Sequence, residues 1–151
     1  MTNANDNDGL GREAVTREVT RGVCRALAEQ GLACLTEFTL RSGRRADVIA
    51  LAADGTVTIV EVKSSLADFQ ADAKWPEYRD FCDRFYFAVA ADFPQDVLPE
   101  DCGLMVADAY GAEELRPAPE TRLNGSRRRA LLLRFARHGA ARLQSLLDPR
   151  L

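Results

Sequence analysis

The chain has 151 residues, 46% of them hydrophobic and 28% charged, with a formal net charge of −3. That length suits one domain with a proper core, and no apolar run approaches the ~18 to 20 residues of a membrane span. Four cysteines without C-x-x-C or zinc spacing predict reduced thiols in the cytoplasm, and a single histidine nearly excludes imidazole metal sites and a Ser-His-Asp triad.

Met1 to Gly11, with three Asn, two Asp and two Gly, has no periodicity and reads as a disordered lead-in too polar for a secretory signal. A single domain over residues 12–151 follows. From Arg12 to Gln30, Val15, Val19, Val23, Cys24 and Leu27 recur at helical spacing and Gly31 is a stop, which predicts an amphipathic helix. Its polar face carries Arg12, Arg17, Arg21 and Arg25, either solvated or turned toward phosphate. Leu32 to Arg41 alternates as a strand, and Ser42-Gly43 turns it into a second. Glu37 on the first is either an exposed strand residue or one that reaches whatever Asp47 reaches.

Two aliphatic runs, Ala46 to Leu51 and Val57 to Val62, flank Asp54-Gly55, a strong hairpin signal. A two-residue loop would set Asp47 opposite Val62, on the wrong face. With a three-residue loop, Ala53-Asp54-Gly55, and Gly55 in the left-handed conformation, Ile49 faces Ile59 and Leu51 faces Val57. Asp47 then faces Glu61 and Arg45 faces Lys63, so the charges collect at one end. The three-residue loop is the expectation.

Ser64 and Ser65 can cap a helix over Leu66 to Ala73, with Asp68 in its first turn. Trp75-Pro76 breaks or restarts it before Glu77 to Asp83, and Trp75 is expected to pack in the core. Arg84 to Ala90 and Gly103 to Asp108 read as buried strands, separated by a turn region at Pro94 to Pro99, and Glu113 to Arg116 as a hairpin partner. Pro117 to Gly125 is linker-like, and Ser126 is expected to cap a last helix through Leu147. Residues 64–119 carry four basic and twelve acidic side chains, whereas residues 120–151 carry eight and two. The last helix is thus a basic patch in an acidic protein, with Arg127, Arg128 and Arg134 on a face that meets either phosphate or solvent.

Two carboxylates opposed across a hairpin repel unless a cation lies between them. Asp47 and Glu61 suit a hard divalent ion such as Mg²⁺, which takes one or two carboxylates plus water and phosphate oxygens. Lys63, one alternation beyond Glu61, would then polarise a water or stabilise charge on a phosphoryl oxygen. The bland alternative is a surface cluster in which Lys63 neutralises Glu61.

An Asp on one strand and Glu61-Val62-Lys63 on the next resembles the PD-(D/E)XK nuclease superfamily, with Ala46 where that pattern often has Pro. The longer string from Lys63 through Trp75-Pro76 to Val89 resembles the MmcB family of DNA-repair-associated proteins. The resemblance implies an α/β restriction-endonuclease-like fold, a mixed β-sheet flanked by helices with a basic C-terminal helix. It implies a metal-dependent DNA phosphodiester hydrolase acting in repair. Asp47, Glu61 and the Val62 carbonyl would hold Mg²⁺, or Mn²⁺ as a substitute, and Lys63 would orient the water. An acidic residue of the first helix would join them, Glu18 first and Glu13 second. Lys74 and Tyr78 stand where many members have a Gln-x-x-x-Tyr element, and share a face if the helix is continuous. With Arg45, Arg127, Arg128 and Arg134 they would contact DNA. Expected partners are DNA, a repair protein and a second copy of the chain, with no membrane. The alternative is a non-catalytic nucleic-acid-binding or protein-interaction module on the same fold.

Overall fold

The computed structural model describes residues 4–150, with side chains from residue 9 onward. The first helix, α1, runs Ala4–Glu29, so residues 4–11 of the expected disordered lead-in are helical. Residues 1–3 lie outside the described residues. The correction has a simple cause: an established helix gains one hydrogen bond per added residue without a second nucleation step, so it extends past the end of its apolar pattern. Val19, Val23 and Leu27 are buried, as their spacing requires.

Six strands follow that helix, interleaved with further helices: β1 (Ala33–Thr39), β2 (Arg45–Leu51), β3 (Val57–Val62), β4 (Arg84–Val89), β5 (Gly103–Ala107) and β6 (Ala112–Arg116). They form one sheet in the order β1-β2-β3-β4-β5-β6. β1, β2 and β3 are an antiparallel meander, β3, β4 and β5 run parallel, and β6 returns antiparallel to β5. The parallel step from β3 to β4 needs a crossover, supplied by α2 (Leu66–Ala71) and a 3₁₀ segment over Trp75–Phe81. The last helix, α3, spans Gly125–Leu147.

Both sheet faces are covered. α1 packs Val19, Val23 and Leu27 on Val48, Val60, Val62 and Ala88. On the other face, Phe69, Trp75, Tyr78 and Phe81 with Leu131 and Phe135 of α3 cover Ile49, Ile59, Phe85 and Phe87. Trp75 is in this layer, stacked on Phe85 with ring centroids 5.8 Å apart. The result is a mixed six-stranded sheet flanked by helices, an α/β fold as expected. No helix among the described residues is long and apolar enough to cross a membrane.

Polar bonds fasten α3 to this sheet. Asn124, not Ser126, is its cap: the Asn124 side chain accepts from the Arg127 N–H at 2.8 Å, and Ser126 donates to that same oxygen. Arg134 donates to the Thr39 carbonyl at 2.6 Å, and Arg142 to the carbonyls of Thr36 and Glu37. These acceptors belong to β1, which is at the edge of the sheet and lacks a strand neighbour on that side. Between Thr36 and Phe38 the β1 ladder is interrupted at Glu37, whose φ of 48° is left-handed.

Candidate active site

The turn between β2 and β3 is the three-residue form. Gly55 has φ 89°, its N–H bonds the Ala52 carbonyl, and the Ala52 N–H bonds Thr56. The register follows from it: Ile49 pairs with Ile59 and Leu51 with Val57. The backbone ladder stops at Val48–Val60, however, so Arg45 does not pair with Lys63. Carboxylates take over there. Glu61 Oε1 accepts from the Asp47 N–H at 3.0 Å, and Asp47 Oδ2 accepts from the Val62 N–H at 2.8 Å. The splayed strand ends therefore hold the two side chains against each other, because each satisfies a backbone donor of the opposite strand.

The electrostatics follow from burial. Glu61 is 5% exposed, and burial followed by the nearby Asp47 charge pushes its carboxyl up to about 9. Asp47 is half-buried and also raised, burial outweighing the Val62 N–H and Lys63 that favour its charged form. Burial and the facing charge both favour a proton held between the two carboxyls when nothing else lies there.

Lys63, equally buried, places Nζ 2.7 Å from Asp72 Oδ2. Burial alone would raise the Asp72 carboxyl; the bond from Lys63 and the Lys74 N–H outweigh it and hold it below the usual range. Tyr78 donates to the Arg45 carbonyl at 2.9 Å. Its hydroxyl pKa is raised, by burial first and then by the charges of Glu61 and Asp47.

These groups open on one cleft of about 1050 Å³. Asp47, Glu61, Val62 and Lys63 form its base, with Arg45 and Tyr78 beside them. Val62 sends its side chain into the α1-side core, so its main chain is what reaches the cleft. From α1 the cleft is lined by Arg12, Glu13 and Arg17. Glu18 is exposed and does not line it, whereas Glu13, the second candidate, does. At about 100° and 1.5 Å per residue the two lie about 140° apart around α1 and about 7.5 Å apart along it, and packing decides which faces the sheet end.

Other expectations also change. Lys74 is exposed and off the cleft, because α2 ends at Ala71, Asp72 is extended, and Pro76 starts a separate 3₁₀ segment. The Lys74–Tyr78 pair of a continuous helix does not form. Arg128 is committed to the buried Asp83 and the Gly55 carbonyl, which removes it from any phosphate-facing set. Arg127 bonds the Asp80 carbonyl and lies over the Phe81 ring, and Arg134 bonds Thr39. The latter two border a different cavity, away from Asp47 and Glu61.

Residues 3–150 match the family described as DNA repair protein MmcB-like. The chain belongs to the MmcB-like DNA repair family. The MmcB-like chain is also similar to a solved structure, the SPO1766 protein of unknown function from Silicibacter pomeroyi. The two share 47% identity and superpose with a TM-score of 0.86, over 89% of this chain and 92% of that one. No curated protein matches the chain.

In this MmcB-like chain, sequence reasoning missed Asp72 as the partner of Lys63. The signal was faint: an Asp a few residues before a Trp-Pro break, where the end of α2 lets it fold back. For Glu37 both expected readings hold: it is exposed and on the cleft wall, and the left-handed backbone that puts it there is invisible in an alternating strand pattern.

Proposed function

We propose that this chain is a metal-dependent DNA phosphodiester hydrolase of the PD-(D/E)XK type acting in DNA repair. The observation that carries the reading is the pair of carboxylates, half-buried Asp47 and buried Glu61, cross-bonded at the splayed strand ends beside Lys63. Two like charges in a dry site are a costly arrangement without a cation.

The donor set suits a hard ion with water in its coordination sphere. No group of three or more His, Cys, Asp or Glu side chains able to hold a metal occurs among the described residues. Two carboxylates and a main-chain carbonyl match the needs of Mg²⁺, which keeps several waters and binds substrate phosphate, better than those of a soft or fully protein-caged metal. Asp47, Glu61 and the Val62 carbonyl would hold it, with Mn²⁺ as a substitute. The bound metal would lower the pKa of a water and offset charge on the scissile phosphate.

The protein's own groups do the rest. Lys63, fixed by Asp72, orients the attacking water and faces the phosphoryl oxygen. Arg45 and Arg17, on the cleft wall, receive the flanking phosphates as charge-assisted hydrogen-bond donors. Glu13 supplies the acidic residue of the first helix.

A second reading, a nucleic-acid-binding or interaction module without turnover, is favoured by one observation. The Lys63 ammonium is already paired with a carboxylate at 2.7 Å. Cleavage of labelled single-stranded, duplex, nicked, flapped, branched and abasic DNAs with Mg²⁺ or Mn²⁺ separates the two. Cutting that Asp47→Asn and Lys63→Ala both abolish is the expected result. No cutting of any substrate, with DNA still bound, would establish the second reading instead.

A further inference from the structure

Apart from Arg45, the basic residues that sequence analysis assigned to DNA do not gather at the cleft. Arg127 and Arg134 border a separate cavity of about 570 Å³ between the β1–β2 turn and the first turns of α3, and Arg41 joins them from the turn. No carboxylate lines it. Three guanidiniums around one uncompensated cavity, in a chain of net charge −3, are an anion site by charge alone.

The guanidiniums are not equivalent. Arg134 is anchored through Nε to the Thr39 carbonyl, an arrangement that holds its terminal nitrogens in a fixed plane. Arg127 bonds the Asp80 carbonyl with one terminal nitrogen and lies over the Phe81 ring, 5.2 Å from its centre. Among the described residues Arg41 is exposed and has no hydrogen-bond or ion-pair partner, so it is the cation with capacity to spare.

The rest of the lining is unlike that of a bare phosphate site. Phe81, Ala130 and Leu131 give it an apolar floor, and the volume exceeds what an inorganic anion fills. The Arg127 guanidinium over the Phe81 ring, beside an apolar floor, suits a planar aromatic group, while the free donors of Arg41 and Arg134 suit phosphate oxygens. One ligand class carries both parts.

We propose that this cavity binds a nucleotide, with its phosphate on Arg41 and Arg134 and its base against the Arg127–Phe81 stack. The segments that line it also line the catalytic cleft. The β1–β2 turn contributes Arg41 here and leads into Arg45 there, and the 3₁₀ segment contributes Phe81 here and Tyr78 there. An Arg44–Glu77 ion pair at 2.8 Å clamps the two segments to each other. The inference deepens the nuclease reading by placing a second hold on the same DNA strand, and its test does not depend on cutting.

The test is fluorescence anisotropy of the full chain with a labelled single-stranded oligonucleotide, in chelator, for wild type, Arg41→Ala and Ala130→Phe. Arg41→Ala removes the unpartnered cation, and Ala130→Phe fills the cavity from an exposed helical position without changing charge. Each is expected to weaken binding about tenfold, and Arg41→Ala also to flatten its salt dependence by about one counterion. Thermal melting of both variants confirms that they fold.

Deoxyadenosine monophosphate and inorganic phosphate serve as competitors. Competition by the mononucleotide well beyond phosphate supports the site and identifies a free nucleotide as a ligand. Weakened oligonucleotide binding without competition by either supports it with the strand as the source. Phosphate competing as well as the nucleotide overturns the assignment, and so do variants that fold and bind like wild type. Binding lost in these variants while the wild type cuts no DNA would sink only the nuclease reading; cutting by folded variants with wild-type binding would sink only this one.

Discussion

Arg128 grips Asp83 with both ends of its guanidinium, each nitrogen 2.7 Å from a carboxylate oxygen. Asp83 is 3% exposed and also accepts from the N–H groups of Val57 and Leu123, so one side chain ties β3, the segment before α3, and α3 itself into a single knot. Burial would raise its carboxyl, but Arg128 and the two backbone donors prevail and hold it at about 2. A pKa depressed in the folded state stabilises above the unfolded value, near pH 4, and the contribution is lost as pH falls toward 2. From the depth of that shift it is worth roughly 2 to 3 kcal/mol at neutral pH. Urea unfolding of wild type and Asp83→Asn should differ by about that amount at pH 7 and converge as pH falls from 4 to 2. A gap that does not change with pH would refute the assignment. Arg128→Ala, which strands the buried charge, should cost more, about 3 to 5 kcal/mol.

Glu61 predicts the opposite slope. Its folded carboxyl is raised to about 9, so below that pH the folded protein holds a proton that the unfolded chain releases above about 4.5. Metal-free stability should therefore fall as pH rises from 5 to 9, and Glu61→Gln should flatten the curve. Under the proposed function Mg²⁺ displaces the shared proton, so titration calorimetry at pH 7 in buffers of different ionisation enthalpy should register proton release. Identical heats across buffers would count against a cation between Asp47 and Glu61.

Gly22 marks where α1 lies closest to the sheet's far end. A methyl group there would overlap the carbonyl oxygens of Asp108 and Gly111 at the β5–β6 turn. Backbone atoms cannot swing aside as a side chain would, so Gly22→Ala should destabilise by about 1 to 3 kcal/mol despite alanine's better helix propensity. A variant melting at or above the wild-type temperature would show that α1 can shift without penalty.

Glu37 holds a left-handed backbone without being glycine. That conformation costs about 1 to 2 kcal/mol for a residue with a Cβ, which glycine avoids at the expense of greater freedom in the unfolded chain. Glu37→Gly should leave stability level or slightly raised, whereas Glu37→Val, β-branched, should lower it by more than 1 kcal/mol. Chemical denaturation of the pair decides it; equal losses would mean that the Glu37 side chain, rather than its backbone, is what matters.

The hairpin was legible because its information is local. Asp54-Gly55 and the alternation of Ile49, Leu51, Val57 and Ile59 allow one register, and that register brings Asp47 to Glu61. What happens next was not legible: the ladder stops at Val48–Val60, and side chains replace backbone partners, which the alternation of residue types does not encode. Asp83 was missed because an Asp before a strand looks like any surface carboxylate until Arg128 arrives from the far end of the chain. The α3 arginines were only partly legible for a related reason. A row of arginines on a helix signals anion contact, yet a carbonyl oxygen of the protein itself is an equally good acceptor, and Arg134 and Arg142 found those first. Glu13 against Glu18 turned on which turn of α1 lies over the sheet end, which the apolar pattern of α1 does not encode.

The arginine contacts along β1 bear on how copies of this chain meet. An open sheet edge is a template on which another chain can add a strand, the first step of runaway association. Here Arg134 and Arg142 occupy the outward carbonyls of Thr39, Thr36 and Glu37, and the left-handed Glu37 bends the strand out of line. The opposite edge, β6, carries the exposed Glu113 and Glu114 on alternate faces, Glu114 accepting from the Tyr86 hydroxyl. Two molecules approaching edge to edge would have to strip off one guard or bring carboxylates together at the other. Growth of the sheet by strand addition is thus opposed at both edges without closure into a barrel.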